Sequence, residues 1–227
     1  MGTAAPARIL HHVLELFKAG PRTPVQAIEQ LTAGPPAVEE VLLDLFDSPP
    51  VREESWAALW TLVVLGERRS MRALPALFAA AGSGNNIVTE GVEFALLRLG
   101  ERAVGPVLDH LNAHPDAPGR IHLLALLAEH PNTRAVNALL RAFCPEARDF
   151  ADVGWLLAQT RDPRATAALE RAVQEYATYI PDIREPLEAY LKKVDLTNPL
   201  NTDWRVCWSW DAAADEPPAE DPDDEIK

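Results

Sequence analysis

A hexapeptide returns four times along this chain of 227 residues, and no other feature restricts its fold as much. The copies are Arg72-Ala-Leu-Pro-Ala-Leu77, Arg102-Ala-Val-Gly-Pro-Val107, Arg134-Ala-Val-Asn-Ala-Leu139 and Arg164-Ala-Thr-Ala-Ala-Leu169, with the arginines 30, 32 and 30 residues apart. A period of that size marks a stacked-repeat architecture, in which each unit hides its apolar face only against its neighbours. A helix stop stands before each copy: Leu65-Gly66-Glu67, Leu99-Gly100-Glu101, Glu129-His130-Pro131 and Thr160-Arg161-Asp162-Pro163. Glycine closes a helix because it enters positive φ without steric cost. Proline opens the next because its missing N–H would be unpaired there.

Between the stops, apolar side chains follow helical spacing. Ala73, Leu74, Leu77 and Phe78 form one stripe, Val104, Val107, Leu108 and Leu111 a second, and Val136, Leu139, Leu140 and Phe143 a third. Each stripe is followed by another expected helix, Val88–Leu99, Arg120–Glu129 and Phe150–Gln159, and no strand alternation intervenes. An earlier pair (Pro36–Phe46, Val51–Leu65), a divergent first pair (Ala7–Lys18, Pro24–Leu31) and a closing pair (Pro163–Ala177, Ile183–Lys193) bring the expectation to twelve helices in six pairs. The expected class is all-α: stacked helical pairs over residues 1–194, of which 1–34 are divergent, then an irregular tail over 195–227.

The segment Val51-Arg52-Glu53-Glu54-Ser-Trp-Ala-Ala-Leu-Trp-Thr-Leu-Val-Val-Leu65-Gly66, with Arg72-Ala-Leu-Pro-Ala-Leu77 after it, resembles a HEAT repeat. It is most similar to the short bacterial variety called PBS-lyase HEAT-like repeats, with their Val-Arg helix start and Leu-Gly stop. The resemblance spans residues 35–180 and is clearest over 51–173; the later inner helices lack the Val-Arg start. It implies a right-handed α-α superhelix, a HEAT-like solenoid, and a protein-binding scaffold more readily than an enzyme.

Composition narrows the function further. Hydrophobic residues make up 48% and charged ones 24%, enough apolar surface for a core and against wholesale disorder. Lysine and arginine number 21 against 34 aspartates and glutamates, a net charge of -13, which argues against a nucleic-acid coat or a membrane-surface protein. Two cysteines, Cys144 and Cys207, give neither a disulfide framework nor a cysteine zinc site. Met1–Phe17 lacks a basic stretch followed by an unbroken apolar run, so a cytoplasmic location is expected.

Candidate chemistry is sparse. His110 and His114 lie four apart on one helical face beside Asp109, a two-ligand geometry in principle, but no His-Glu-x-x-His pattern accompanies them. Di-iron hydroxylases on HEAT-like scaffolds carry His-Glu dipeptides, and none of the six histidines here precedes a glutamate. A lyase activity would rest on the fold resemblance alone. Residues 8–46 imitate a helix-turn-helix start, yet its last helix offers Glu39, Glu40 and Asp44, which phosphates would repel. The expectation is a non-enzyme with no metal and no cofactor.

Arg72, Arg102, Arg134 and Arg164 each fall near a helix N-terminus, where the macrodipole disfavours a cation. Recurrence in step with the repeat favours a structural ladder, each guanidinium meeting an acceptor on an adjacent unit, over an exposed anion-binding row. The second helices of the pairs are expected to line a concave face carrying Glu53, Glu54, Trp56, Glu90, Glu93, His122, Asp152 and Trp155. Carboxylates there suit helix N-termini, but together they also make an acidic groove for a protein partner with a basic or amphipathic segment. Other functions in view are an inhibitor or immunity-type binder of a basic protein, an enzyme accessory (lyase-like or metal-dependent), and, less favoured, a nucleic-acid module. In the tail, Trp204, Trp208 and Trp210 share one face of an extended stretch ahead of residues 211–227, whose net charge is -7. They are read as a cap on the last pair or as a docking peptide.

Overall fold

The computed structural model describes residues 4–46, 48, 55–176 and 188. Among the described residues there are eleven α-helices and no strand. In chain order they are α1 (Ala4–Lys18), α2 (Val25–Thr32), α3 (Ala37–Phe46), α4 (Ser55–Glu67), α5 (Leu74–Ala81), α6 (Asn86–Leu99), α7 (Glu101–Ala113), α8 (Arg120–Glu129), α9 (Thr133–Ala142), α10 (Phe150–Thr160) and α11 (Pro163–Tyr176). A 3-10 turn, Met71–Ala73, leads into α5.

Local chemistry explains where the helices begin. Asn85 accepts hydrogen bonds from the N–H groups of Ile87 and Val88 at 3.0 and 3.3 Å, so α6 starts two residues ahead of the expected Val88. Asn132 caps α9 in the same way, accepting from Ala135 N–H at 3.0 Å. Pro75 sits in the first turn of α5, which places Arg72 in the preceding 3-10 turn rather than in an α-helical first turn.

The stops follow the expected logic at Gly100, with φ +65°, but not at Gly66. Gly66 is buried inside α4, and the helix ends in a Schellman-type turn with Arg69 at φ +52°. There Arg69 N–H donates to Gly66 C=O at 2.8 Å and Ser70 N–H donates to Leu65 C=O at 3.0 Å. Gly66 serves a different end: a Cβ there would lie 2.8 Å from the Cα of Ala95 on α6. Gly91 of α6 returns the approach, since its Cβ would lie 3.0 Å from Leu59 and 3.1 Å from Leu62 of α4. The two helices therefore cross at close range through small residues, and theirs is the most extensive helix contact.

Helix α4 is buried at every position from Ala57 to Gly66, and α8 from Leu123 to Ala128. Helices apolar all round belong between other elements, whereas α7, α9 and α11 are amphipathic and cover them from one side. The row α4, α6, α8, α10 packs in succession, with α5, α7, α9 and α11 laid against it. Among the described helices, every extensive contact joins elements no more than three apart in the order given above. Nearly all buried apolar side chains belong to one continuous core running from Val13 to Leu169.

The divergent first pair is fastened to that core by α4. Trp60 is fully buried, and its indole N–H donates to Gly20 C=O at 2.9 Å. Arg68 reaches back to the end of α2, where its guanidinium donates to the carbonyls of Leu31, Thr32, Gly34 and Pro35 at 2.8, 2.8, 3.0 and 3.2 Å. Leu31 and Thr32 close the last turn of α2 and Gly34 and Pro35 follow it; Leu31 and Pro35 also accept from Gly34 N–H and Val38 N–H, and a cation suits that end of the dipole.

Candidate functional site

Side-chain contacts between successive helices of the row α4, α6, α8 and α10 step along the chain by about one repeat. Asn85 donates to Ser55 Oγ at 2.6 Å. Arg98 Nε of α6 lies 3.0 Å from Glu67 of α4, and the same guanidinium sits 5.0 Å from the Phe94 ring centroid. His122 Nδ1 of α8 is 2.6 Å from Glu93 Oε1 of α6, Arg120 grips Asp149 with two hydrogen bonds of 2.7 and 2.5 Å, and Gln159 of α10 donates to Glu129 of α8 at 2.5 Å. The half-buried Arg120–Asp149 fork holds the guanidinium more firmly protonated, mainly through its hydrogen bonds to Asp149.

These pairs redistribute the charge that the sequence places on this face. Glu93 is engaged by His122, Asp149 by Arg120 and Glu67 by Arg98. Glu90 and Trp155 are half-buried, Trp56 packs against the core, and Asp152 is the exposed carboxylate of the set. Asp152 occupies on α10 the place that His122 holds on α8, thirty residues earlier. Of the expected groove residues, the geometry joins Glu93 to His122. Glu53 and Glu54 lie outside the described residues, as do Trp204, Trp208 and Trp210 of the tail.

The repeated arginines stand on the outer row. Arg72 lies 3.6 Å from Glu40 of α3, Arg134 lies 3.7 Å from Asp109 of α7, and Arg164 donates to Asn137 of α9 at 2.8 Å. In each case the acceptor belongs to the preceding pair. Arg164 also binds Asp162 through two nitrogens, which pulls the Asp162 carboxyl below its ordinary range. Arg102 is exposed. Exposed pairs at such distances contribute about 0–1 kcal/mol each.

His110 and His114 take a role that spacing alone did not suggest. His110 stacks on Phe78 of α5, ring centroids 4.1 Å apart at 21°, and His114 lies 4.9 Å further along. They line an open groove of about 790 Å³ with Pro75, Pro115 and Pro118. Burial lowers the pKa of His110 from its ordinary value, and His114 lowers it further. Among the described residues, no three His, Cys, Asp or Glu side chains gather as metal ligands would. No helix of the described residues is long and apolar enough to cross a membrane.

No known protein family matches this chain, and no curated protein matches it in sequence.

Proposed function

We propose that the chain is a HEAT-like solenoid acting as a non-enzymatic protein-binding scaffold, which takes a basic or amphipathic segment of a partner along its inner helices. The observation that supports this reading is the run of contacts Ser55–Asn85, Glu67–Arg98, Glu93–His122, Arg120–Asp149 and Glu129–Gln159, each spanning 29 to 31 residues. Such contacts, some at the starts and some at the ends of α4, α6, α8 and α10, fix these helices against one another in a rigid row that gains one unit of length per pair. A preorganised strip loses little entropy on binding. The net charge of -13 draws basic partners to it.

Asp152 and Trp155 are the contact residues of choice, one an exposed carboxylate and the other a half-buried aromatic anchor. The experiment begins with affinity capture by the full chain and identification of the bound protein. Binding of that purified partner is then titrated by calorimetry against Asp152→Lys, Glu53→Lys and Trp155→Ala. Affinity should fall by about tenfold or more for the charge reversals, with a shallower salt dependence. Unchanged affinity in all three variants refutes the assignment of this strip.

A further inference from the structure

Among the described residues, a second apolar cluster stands beside the C-terminal end of the core. Phe150 and Ala172 form a small apolar cluster of their own, flanked by Phe143, Ala151 and Val173. Phe143 and Phe150 stack with ring centroids 4.4 Å apart. Beside them, between the end of α9, the start of α10 and one face of α11, runs a groove of about 530 Å³. Its lining includes Leu140, Phe143, Phe150, Ala168 and Ala172, with Arg171 at its edge. An array of helical pairs needs its last apolar face covered. This groove has room for more than one aromatic ring.

The chain itself supplies the aromatics. Trp204, Trp208 and Trp210 fall on alternate positions with Val206, so one side of an extended segment presents three indoles and an isopropyl group. The 27 residues between Tyr176 and Trp204 can span as much as about 90 Å when extended, so reach is no obstacle. Directly after Trp210 comes the stretch 211–227 with net charge -7, while Arg171 and Glu175 line the groove and Arg164 is engaged by Asp162. The apolar lining suits the indoles, and Arg171 offers the acidic stretch a cation. We propose that the segment Trp204–Trp210 seats its indoles in this groove between the end of α9, the start of α10 and α11, with the acidic end of the chain beside Arg171.

The two cysteines provide a probe. Cys144 is exposed and stands between the groove-lining Phe143 and Pro145, and Cys207 is the middle residue of the segment. The full chain, reduced and dilute, is treated with a short bis-maleimide and mapped by mass spectrometry. A seated segment gives a Cys144–Cys207 link within one chain as the main product. Tethering alone also permits some linking, at a rate set by the effective concentration of the tail, so the rate must be compared across variants. In W204S/W208S/W210S the rate should drop by about tenfold or more, towards that tethered background. Ala167→Glu should produce the same drop, because it puts bulk and charge into the groove from an exposed helical position outside the core. Equal rates in parent and variants mean that the tail is merely tethered and overturn the proposal. Links between two chains would instead assign the groove to a second copy. No link in the parent would leave residues 177–200 as its cover and overturn the proposal equally.

Discussion

Arg68→Met isolates how the first helical pair is held. The substitution keeps an unbranched apolar stem and removes a guanidinium that donates to four carbonyls, three of them through partly buried hydrogen bonds. Leaving a buried acceptor unsatisfied costs about 1–3 kcal/mol, and the low end applies here because water can reach the end of α2. Loss of the cation at a helix C-terminus adds about 0.5 kcal/mol. Leu31 and Pro35 keep backbone donors, so Thr32 and Gly34 cost about 1 kcal/mol each, and with the cation the expected loss is about 2.5 kcal/mol, approaching a hundredfold in the equilibrium for local opening. It should be confined to α1–α3, because α8 to α10 share no extensive contact with them. Hydrogen exchange reads this directly: amides of α1 and α2 should lose about a hundredfold in protection, and those of Leu123–Leu127 almost none. Arg68→Lys should recover only part, since an ammonium cannot span four carbonyls with a fixed fork. If protection in α1 and α2 stays within about threefold of the parent, the clamp is not what holds this pair, and the reasoning fails.

Gly66→Ala should destabilise the whole chain by about 2 kcal/mol: the obstacle is the backbone of Ala95, so the upper end of an overpacking cost of about 1–3 kcal/mol applies and helix propensity returns about 1, as a denaturation midpoint would show. Gly119→Ala should be far worse than Gly84→Ala. Both glycines have positive φ, but only at Gly119 would the Cβ run into Ala81 C=O, whereas Gly84 faces open space and should cost about 1–2 kcal/mol by thermal denaturation. The lowered pKa of His110 has a defined sign. Below its ordinary value of 6.5 the unfolded chain binds the proton more readily than the folded one, so this contribution is intact above pH 6.5 and is lost as pH falls towards the folded value. His110→Phe should flatten the melting temperature against pH below 6.5 relative to the parent; identical slopes would count against it.

Which parts of this arrangement could be read in advance depended on whether the chemistry was local. The repeated hexapeptide, the proline at the head of α5 and the positive-φ glycine at position 100 act within a few residues, and the helices lie where they imply. Gly66 misleads because a glycine that allows positive φ and one that admits a neighbouring backbone look the same in sequence. Only Ala95, twenty-nine residues away, tells them apart. Arg69 in the left-handed region carries no compositional mark at all. Arg68, Trp60 and the Glu93–His122 pair act across 29 to 40 residues, and their partners follow only once the units are registered against one another. The same holds for the Phe78–His110 stack, whose residues stand 32 apart in units offset by 30, so the repeat interval alone does not pair them.

The short range of the helix contacts also bears on how such a chain can change over generations. When no extensive contact among the described helices reaches past the third neighbouring element, excising or duplicating a whole pair of them leaves every other junction as it was and asks for one new seam. Length then becomes an adjustable property, altered in steps of about thirty residues, and the terminal pieces tied on by Trp60 and Arg68 are free to diverge without disturbing the middle.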